Sequence, residues 1–297
     1  MRVGFIGLGV MGSAMVKHLA KGGHELALYD RDQQATSKVA RRHKGALTAK
    51  SPRAVAEACD VVFTMLPNGG AVRECVFGEA GLAKGLERGA ILVDSSSAEP
   101  WITRETAAGL AEHGVAMLDA PVSGAQEGAE SATLVFMCGG EAAALDRVRP
   151  LLDLMGTHVF HLGPVGSGHA MKTVNNLATA LTCLGTAEAM LIGKACGLKP
   201  SAMIDVLNVS TGMSFVTQKR YGPQVVGRRF DDAFKLELML KDVGIANKLA
   251  DEHGLALPAS ALGEQLWRAA HSALGPGRSI MDIVRWYEQM TGIELKD

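Results

Sequence analysis

Three glycines near the start of the chain have a spacing that indicates a specific chemistry. They lie in Gly7-Leu8-Gly9-Val10-Met11-Gly12, between an apolar run at residues 2–6 and a helical pattern at residues 13–21. A second apolar run, residues 26–29, ends at Asp30. A G-x-G-x-x-G turn between a strand and a helix, with an acid about 20 residues later, is the arrangement that binds a dinucleotide.

Each glycine of this turn has its own physical role. Gly7 permits the tight turn, the missing Cβ of Gly9 lets a pyrophosphate approach the backbone, and Gly12 lets the helix pack close to the strand. The N-terminus of the helix adds free N–H groups and a positive dipole end. A flexible glycine-rich turn is the alternative interpretation. The complete strand–turn–helix context favours nucleotide binding.

The end of the second apolar run bears on the choice of cofactor. Asp30 can accept hydrogen bonds from the ribose hydroxyls of NAD, and its charge would repel the 2′-phosphate of NADP. Arg31 can stack on an adenine or meet a phosphate, but Asp30 and Asp32 flank it. We therefore predict NAD as the cofactor, with NADP as the alternative.

Polar loops follow two later apolar runs. Leu66-Pro67-Asn68-Gly69 comes after residues 60–65, and Ser95-Ser96-Ser97 comes after residues 90–94. In an open α/β sheet, ligands bind in the crevice beyond the carboxyl ends of the strands. Ordinary turn chemistry explains such residues equally well. Contacts with the ribose and nicotinamide are hypotheses for Leu66, Pro67, Asn68, Ser96 and Ser97.

A third loop contains only small residues. Ser123-Gly124-Ala125 follows an apolar run at residues 116–120. Small residues can expose successive N–H groups, and such a concavity binds a carboxylate. A plain surface loop is the competing interpretation, and the local sequence alone slightly favours it.

Lys172 and Asn176 lie near the start of a long apolar helical pattern. They are four residues apart, so both side chains share one face of the helix. A lysine on an apolar helix is usually a surface residue whose charged end reaches water. In a cleft, however, a lysine can serve as a general acid or base. Asn176 would then orient Lys172 or bind an oxygen of a substrate.

The composition excludes several classes of protein. The 297 residues are 47% hydrophobic and 5% aromatic and carry a formal net charge of −1, which argues against binding of nucleic acid. The five cysteines contain no C-x-x-C pair, so they predict buried thiols and no metal site. No apolar stretch is long enough to span a bilayer, and the chain enters a strand almost at once. A cytoplasmic protein without a membrane partner is expected.

The order of the patterns predicts the architecture. Short apolar runs alternate with helical patterns as far as about residue 163, which indicates a doubly wound, mostly parallel sheet of the Rossmann type. A helical run from about 169 to 196 follows, and the rest of the chain has helical character. We predict a dinucleotide-binding α/β domain over residues 1–163. An all-helical domain over 164–297 is joined to it by the long helix.

Taken together, these motifs identify the chain as similar to the β-hydroxyacid dehydrogenase family, in the group of 3-hydroxyisobutyrate dehydrogenases and tartronate semialdehyde (2-hydroxy-3-oxopropionate) reductases. The resemblance covers essentially the whole chain. It is carried by GFIGLGVMGSAM, which includes Met11, and by TMLPN, VDSSS, DAPVSGA, GSGHAMKTVNN and the Lys241-Asp242 pair of LMLKDVGIA. The family usually has a second glycine where this chain has Ala125.

The resemblance implies the reaction and the residues that perform it. Hydride passes between the nicotinamide and the hydroxyl carbon of a small 3-hydroxy acid, while Lys172 takes or returns the hydroxyl proton. The substrate site would consist of Ser123, Gly124, Ala125, Lys172 and Asn176. The cofactor would contact Lys241 as well as Gly7, Leu8, Gly9, Val10, Met11, Gly12, Asp30, Arg31, Leu66, Pro67, Asn68, Ser96 and Ser97.

The resemblance also implies an assembly and some limits on the substrate. Relatives are dimers or tetramers through the helical domain, and the long apolar helix favours the same here. The retained Val122-Ser123-Gly124 disfavours a sulfonate, and the chain is shorter than those of phosphogluconate dehydrogenases. A non-catalytic nucleotide sensor is the rival hypothesis, and the joint presence of Lys172 and Asn176 argues against it. The segment from Thr211 to Phe215 is expected to form the far wall of the substrate pocket.

Overall fold

The computed structural model describes residues 1–297, which divide into two compact units, Met1–Lys172 and Thr173–Asp297. The sequence-based boundary after residue 163 precedes this division and stays a prediction. The predicted fold class is confirmed, since a Rossmann-type parallel sheet is followed by a helical region.

The first unit is built on a six-stranded parallel sheet with the strand order β3-β2-β1-β4-β5-β6. Val61–Thr64 and Ile91–Asp94 are buried along their whole length, as expected for parallel strands that helices cover on both faces. The strands are β1 Arg2–Ile6, β2 Glu25–Tyr29, β3 Leu47–Thr48, β4 Val61–Thr64, β5 Ile91–Asp94 and β6 Ala116–Asp119.

Five helices connect these strands, and a 3₁₀ turn at Leu82–Lys84 precedes β5. Side-chain caps begin three of them: Asp32 accepts from the N–H of Gln34, Ser51 from Ala54 and Asn68 from Ala71. The helices are α1 Val10–Lys21, α2 Gln33–Ala40, α3 Pro52–Ala56, α4 Gly69–Phe77 and α5 Pro100–Glu112.

Three further strands form a second small sheet, which the apolar runs did not predict as separate. In this sheet β7 (Val122–Ser123) pairs antiparallel with β8 (Leu134–Cys138), and β8 pairs parallel with β9 (Gly156–His161). Two helices, α6 Ala125–Ser131 and α7 Ala142–Asp153, belong to this part of the unit. The strand β7 is only two residues long, which is too short to give a recognisable periodicity.

The second unit is helical, and its first helix begins in the first unit. Helix α8 runs from Ser167 to Ala195, close to the predicted range, and Gly197 at φ +86° follows its end. A π-helix, Thr217–Val226, precedes the last three helices. The others are α9 Pro200–Leu207, α10 Leu236–Glu252, α11 Pro258–Leu274 and α12 Asp282–Thr291. Trp267 and Tyr221 are fully buried in the core of this unit.

All five cysteines are free, and only Cys196 is exposed. Burial raises the pKa of the Cys59 thiol to about 11, so this thiol is not a ready nucleophile. No helix combines the length and the apolar character that crossing a bilayer requires. No cluster of three or more histidine, cysteine or acidic side chains is placed to hold a metal ion.

Candidate functional site

The glycine turn joins the end of β1 to the start of α1 through close backbone contacts. Gly7 has φ +94°, and its N–H donates to the carbonyl of Tyr29 at 3.0 Å. A Cβ added to Gly7 would lie 2.2 Å from the carbonyl oxygen of Met65, and one on Gly12 would lie 1.9 Å from that of Gly7. These two positions therefore exclude any side chain for reasons internal to the fold.

Gly9 differs from its two neighbours in the turn. A Cβ added there would meet no atom within 4 Å, so the fold itself does not require glycine at this position. Gly9 is also the N-cap of α1 and provides no side-chain hydrogen bond to the first N–H groups of the helix. The open space and the uncapped helix end suit an anion such as a pyrophosphate. The turn thus fits a dinucleotide.

Asp30 closes the turn from the end of β2. Its Oδ2 accepts the N–H of Leu8 at 2.7 Å, and its Oδ1 accepts the N–H of Asp32 at 2.9 Å. Each carboxylate oxygen can accept a further hydrogen bond, because an ionised carboxylate has about four acceptor positions. Asp30 can therefore support the turn and hold ribose hydroxyls at the same time.

A cavity of about 620 Å³ lies beside this turn, within the first unit. Of the predicted cofactor residues, it is lined by Gly7, Gly9, Asp30, Arg31, Leu66 and Pro67. Leu8, Val10, Met11, Gly12, Asn68, Ser96 and Ser97 are not part of its lining, and Lys241 belongs to the second unit. Residues 74–75 and 78–81 also line the cavity, although no sequence motif predicted them as site residues.

Three of these residues, which no sequence motif predicted, affect the chemistry of the cavity. Glu74 and Glu79 add two carboxylates to that of Asp30, and Arg31 is the one cationic residue in the lining. Cys75 is buried, and burial raises the pKa of its thiol to about 12. The thiol therefore acts as a small apolar surface in the cavity wall. The sequence carries no signal for these residues because α4 and the residues that follow it reach the cavity only through tertiary packing.

The loops after β4 and β5 are hydrogen-bonded to each other. The N–H of Leu66 donates to Oγ of Ser96 at 2.8 Å, and the N–H of Gly69 donates to a carboxylate oxygen of Glu99 at 2.9 Å. Asn68 caps α4, because its Oδ1 accepts the N–H of Ala71 at 2.8 Å. Both predicted loops thus have structural roles of the kind that ordinary turn chemistry provides.

A buried histidine ties the start of α8 to these loops. His169 is fully buried, and its Nε2 donates to the carbonyl of Ser96 at 3.0 Å. Its Nδ1 lies 2.8 Å from the hydroxyl of Thr103, and its main-chain N–H donates to Asp119 at 2.8 Å. The carboxylate of Asp94 lies 3.8 Å from Nε2. This network holds the helix turn that precedes Lys172.

The sequence-based interpretation missed this buried network. Its members are separated by up to 73 residues along the chain, as between Ser96 and His169. The only available signal was a histidine and two aspartates placed at the ends of apolar segments. Lys172 itself is half-buried and lies three residues after His169.

The small-residue loop has an unusual backbone. Gly124 has φ +130°, and Ala125, where the family usually has a glycine, has φ +51°. A left-handed conformation is costly for alanine and natural for glycine. Ser123 is the last residue of β7, and Gly124 and Ala125 are exposed. The loop therefore presents its backbone to solvent in the first unit.

The second unit has a polar cluster of its own. The amide Nδ2 of Asn176 donates to Oδ2 of Asp242 at 2.5 Å, and its Oδ1 accepts from Asn175 at 3.0 Å. The ammonium of Lys241 lies 3.2 Å from Oδ1 of Asp242. The buried Asp242 thus connects Asn176 with Lys241, which the sequence predicted as separate site residues. The Lys-Asp pair was recognisable, but the role of its aspartate was not.

The fold and the glycine turn define a protein of the NAD(P)-binding class, and comparisons with known proteins identify the family and its reaction. A family model described as the NAD binding domain of 6-phosphogluconate dehydrogenase matches residues 2–163. A second, described as the NAD-binding of NADP-dependent 3-hydroxyisobutyrate dehydrogenase, matches residues 166–287.

Individual relatives match over nearly the whole chain. A 2-(hydroxymethyl)glutarate dehydrogenase of Eubacterium barkeri is 35% identical over 295 residues, which cover 99% of this chain and 97% of the relative. An NAD-dependent L-serine dehydrogenase of Pseudomonas aeruginosa is 36% identical, covering 90% and 91%. The structure of Mycobacterium tuberculosis 3-hydroxyisobutyrate dehydrogenase with L-serine matches with a TM-score of 0.88 and 30% identity, covering 96% and 98%.

The chain therefore belongs to the β-hydroxyacid dehydrogenase family, and the resemblance stated from its motifs is confirmed. It is an NAD(P)-dependent oxidoreductase that transfers a hydride to or from the CH–OH carbon of a small hydroxy acid.

The contrast between Gly9 and Gly12 leads to a paired prediction. Gly9→Ala should leave the melting temperature nearly unchanged and weaken cofactor binding at least about tenfold, a loss of about 1.4 kcal/mol. Gly12→Ala should lower the melting temperature as well, because its Cβ would overlap a carbonyl oxygen. Thermal unfolding and titration with NADH separate the two effects. Normal cofactor affinity in Gly9→Ala would contradict the placement of the pyrophosphate.

Proposed function

We propose that the protein is an NAD-preferring dehydrogenase of a small 3-hydroxy carboxylic acid and its semialdehyde, with Lys172 as the general acid or base. The substrate would be of the 3-hydroxyisobutyrate or 2-hydroxy-3-oxopropionate type. The observation that carries the proposal is the buried attachment of the first turn of α8 through His169, one turn before Lys172. A lysine positioned so firmly is suited to proton transfer, which depends on fixed geometry.

The glycine turn and the adjoining cavity would hold the dinucleotide. We assign the pyrophosphate to Gly7-Leu8-Gly9-Val10-Met11-Gly12 and the adenosine ribose to Asp30. Leu66, Pro67, Asn68, Ser96, Ser97 and Lys241 would contact the nicotinamide half. The nicotinamide supplies the chemistry of hydride acceptance and donation. A bound cofactor would also exclude water from the crevice beyond the strand ends.

The proton step belongs to Lys172 in this proposal. During oxidation its Nζ takes the hydroxyl proton while the carbon loses hydride and becomes a carbonyl. During reduction Nζ returns the proton to the oxygen. Asn176 lies one turn farther along the same helix, and Asp242 fixes its amide group. The second N–H of that amide can therefore be directed at a substrate oxygen.

The carboxylate of the substrate is assigned to Ser123, Gly124 and Ala125. The exposed backbone of this loop and the hydroxyl of Ser123 offer donors suited to an anion. The methyl group of Ala125 narrows the loop relative to a second glycine. Anchoring of the carboxylate would set the distance between the hydroxyl carbon and Lys172.

The preference for NAD rests on the charges around the adenosine position. Asp30, Glu74 and Glu79 line the cavity with only Arg31 as a nearby cation in its lining. A 2′-phosphate carries about −1.5 to −2 charges near neutral pH, so three carboxylates disfavour it. Binding of NADP, the alternative cofactor, would require the attraction between Arg31 and the 2′-phosphate to exceed the repulsion by these three carboxylates.

The names of the relatives narrow the class of substrate. L-serine, 3-hydroxyisobutyrate and 2-(hydroxymethyl)glutarate share a carboxylate, a central carbon and a hydroxymethyl group. They differ only in the substituent on the central carbon, which is an ammonium, a methyl or a carboxyethyl group. We propose that this chain acts on the shared β-hydroxy acid core.

We also propose a cytoplasmic homodimer or homotetramer that forms through the helical domain, residues 164–297, with residues 1–163 as the dinucleotide-binding domain. Several large apolar side chains of that region are exposed, among them Ile192, Val206, Val209 and Leu262. Exposed apolar surface of this extent supports an interface between subunits.

Replacement of the proposed general base tests the reaction. Lys172→Ala should lower kcat by about 10²–10⁴-fold while NADH still binds, because one proton-transfer group is lost. Turnover is measured on the three relatives' substrates, and Lys199→Ala, at an exposed lysine, serves as the control. Near-normal turnover by Lys172→Ala would refute its role. A wild-type protein that binds NADH but turns over no hydroxy acid would favour the nucleotide sensor.

Cofactor preference provides a second test. The wild-type protein should use NAD⁺ with a kcat/KM at least about tenfold above that for NADP⁺. Asp30→Asn should reduce this ratio because the variant removes the charge that repels the 2′-phosphate. Asp60→Asn, at an exposed aspartate away from the cavity lining, is the matched control. A wild-type preference for NADP⁺ would overturn this assignment.

Sedimentation provides a third test. At micromolar concentration the protein should sediment as a dimer or tetramer, and Val209→Glu should shift it toward smaller species if that apolar surface lies in the interface. Lys199→Glu, also on the surface, is the charge-changing control. A monomer in the wild-type protein would contradict the assembly.

A further inference from the structure

Arg220 is the most deeply buried of the arginines that form ion pairs in the second unit. Arg220 lies in the π-helix Thr217–Val226. Helices of this kind are rare in proteins, and those that occur are often found at functional sites. Its Nη1 donates to Oδ2 of Asp232 at 2.5 Å, and both side chains are only 13% exposed. Neither residue belongs to a sequence motif considered above.

The pairing of Arg220 uses only part of its guanidinium. An arginine has five N–H donors, and the hydrogen bond to Asp232 involves one of them. Its Nε and Nη2 atoms make no hydrogen bond to the protein, and neither is sealed from solvent. Arg228, by contrast, pairs through both Nη atoms with the two oxygens of Glu288. Arg220 thus keeps the fork of donors that matches a second carboxylate.

Its neighbours locate Arg220 along helix α8. The hydroxyl of Tyr221, the next residue, donates to the carbonyl of Cys183 at 3.0 Å. Burial raises the pKa of the Cys183 thiol to about 12, and the nearby Arg220 opposes this rise. Cys183 is seven residues, or about two helical turns, after Asn176. The two residues therefore lie on the same face of α8, about 10 Å apart along the helix axis. Arg220 therefore lies beyond Asn176 in the direction of the helix C-terminus.

The surface next to Arg220 is open and apolar. The ring of Phe215 is 61% exposed, and its centroid lies 5.9 Å from the guanidinium carbon of Arg220. Phe215 ends the segment that the sequence predicts as the far wall of the substrate pocket. An apolar wall of this kind can pack against the methylene groups of a substrate, and the guanidinium beside it can bind an anion at the end of those groups.

We infer that Arg220 binds a second carboxylate, at the end of the substituent on the central carbon of the substrate. The inference rests on the proposed function, in which Lys172 and Asn176 meet the hydroxyl end. The substrate class would then be a 3-hydroxy dicarboxylic acid. A methyl substituent makes no use of the guanidinium, and an ammonium substituent is repelled by it. Asp232 orients the fork and leaves its other edge to the substrate.

Three compounds with the same reacting core test this inference. The purified protein is assayed with NAD⁺ and 2-(hydroxymethyl)glutarate, 3-hydroxyisobutyrate or L-serine, whose substituents carry charges of −1, 0 and +1. We expect kcat/KM to fall in that order, by at least about tenfold from the first compound to the second. Arg220→Gln should reduce that ratio about tenfold or more, chiefly through KM for the dicarboxylate.

Two further variants separate recognition from structure. Arg229→Gln removes a guanidinium that pairs with Asp231 but is largely exposed, so it should leave the order of the three compounds unchanged. Arg220→Lys retains the charge without the fork and should give an intermediate ratio. Melting temperature and NADH affinity are measured for each variant. If Arg220→Gln does not fold, Arg220→Lys carries the comparison.

The outcomes distinguish the inference from the proposed function. Equal or better use of 3-hydroxyisobutyrate or L-serine by the wild-type protein would overturn the role of Arg220 and leave the dehydrogenase function intact. An unchanged ratio in folded Arg220→Gln would do the same. Absence of turnover with all three compounds and either cofactor would overturn the proposed function, and the inference with it.

Discussion

The carboxylate of Asp119, buried at the end of β6, accepts the main-chain N–H groups of Gly166 and His169 at 2.7 and 2.8 Å. This pairing fixes the first turn of α8 against the sheet. The close approach depends on Gly168, where an added Cβ would lie 2.1 Å from the carbonyl oxygen of Met137. An unpaired buried carboxylate would cost several kcal/mol, so the N–H donors and the acid require one another. The position of Lys172 follows from this attachment, because it is carried on the next turn of a rigid helix.

The parts of the site that could be predicted are those whose physical cause is local. Gly7 needs a left-handed backbone, and Gly12 needs close packing, so both constraints appear as glycines at fixed spacing. Asp30 follows the next strand at the distance that the strand–helix–strand unit imposes. The alternation of apolar runs and helical patterns likewise reflects local periodicity. These features are sufficient for the Rossmann-type sheet and the cofactor turn.

The remaining parts depend on contacts between distant residues. His169 meets Ser96 across 73 positions, and Asn176 meets Asp242 across 66. Nothing in the local pattern distinguishes such pairs from a histidine or an aspartate on a surface. The small sheet of β7, β8 and β9 was missed for the same reason. Its shortest strand, β7, has two residues and is recognisable as a strand only because it pairs with β8. Tertiary packing decides these contacts, and one sequence does not display it.

If Arg220 binds the substituent of the substrate, as we infer, substrate choice depends on a residue outside the motifs. In the proposed function, the reacting core of carboxylate, central carbon and hydroxymethyl group contacts residues of the family motifs, so similarity over the whole chain is compatible with relatives named for different substrates. What differs among those substrates is one substituent and its charge. Discrimination by charge requires a cation held where water is scarce, since bulk water reduces the interaction of two charges to about 1 kcal/mol at 4 Å. Arg220 is mostly buried and held by Asp232, whereas the neighbouring Arg229 is largely exposed. A single residue at such a position can separate members of one family that share every catalytic group.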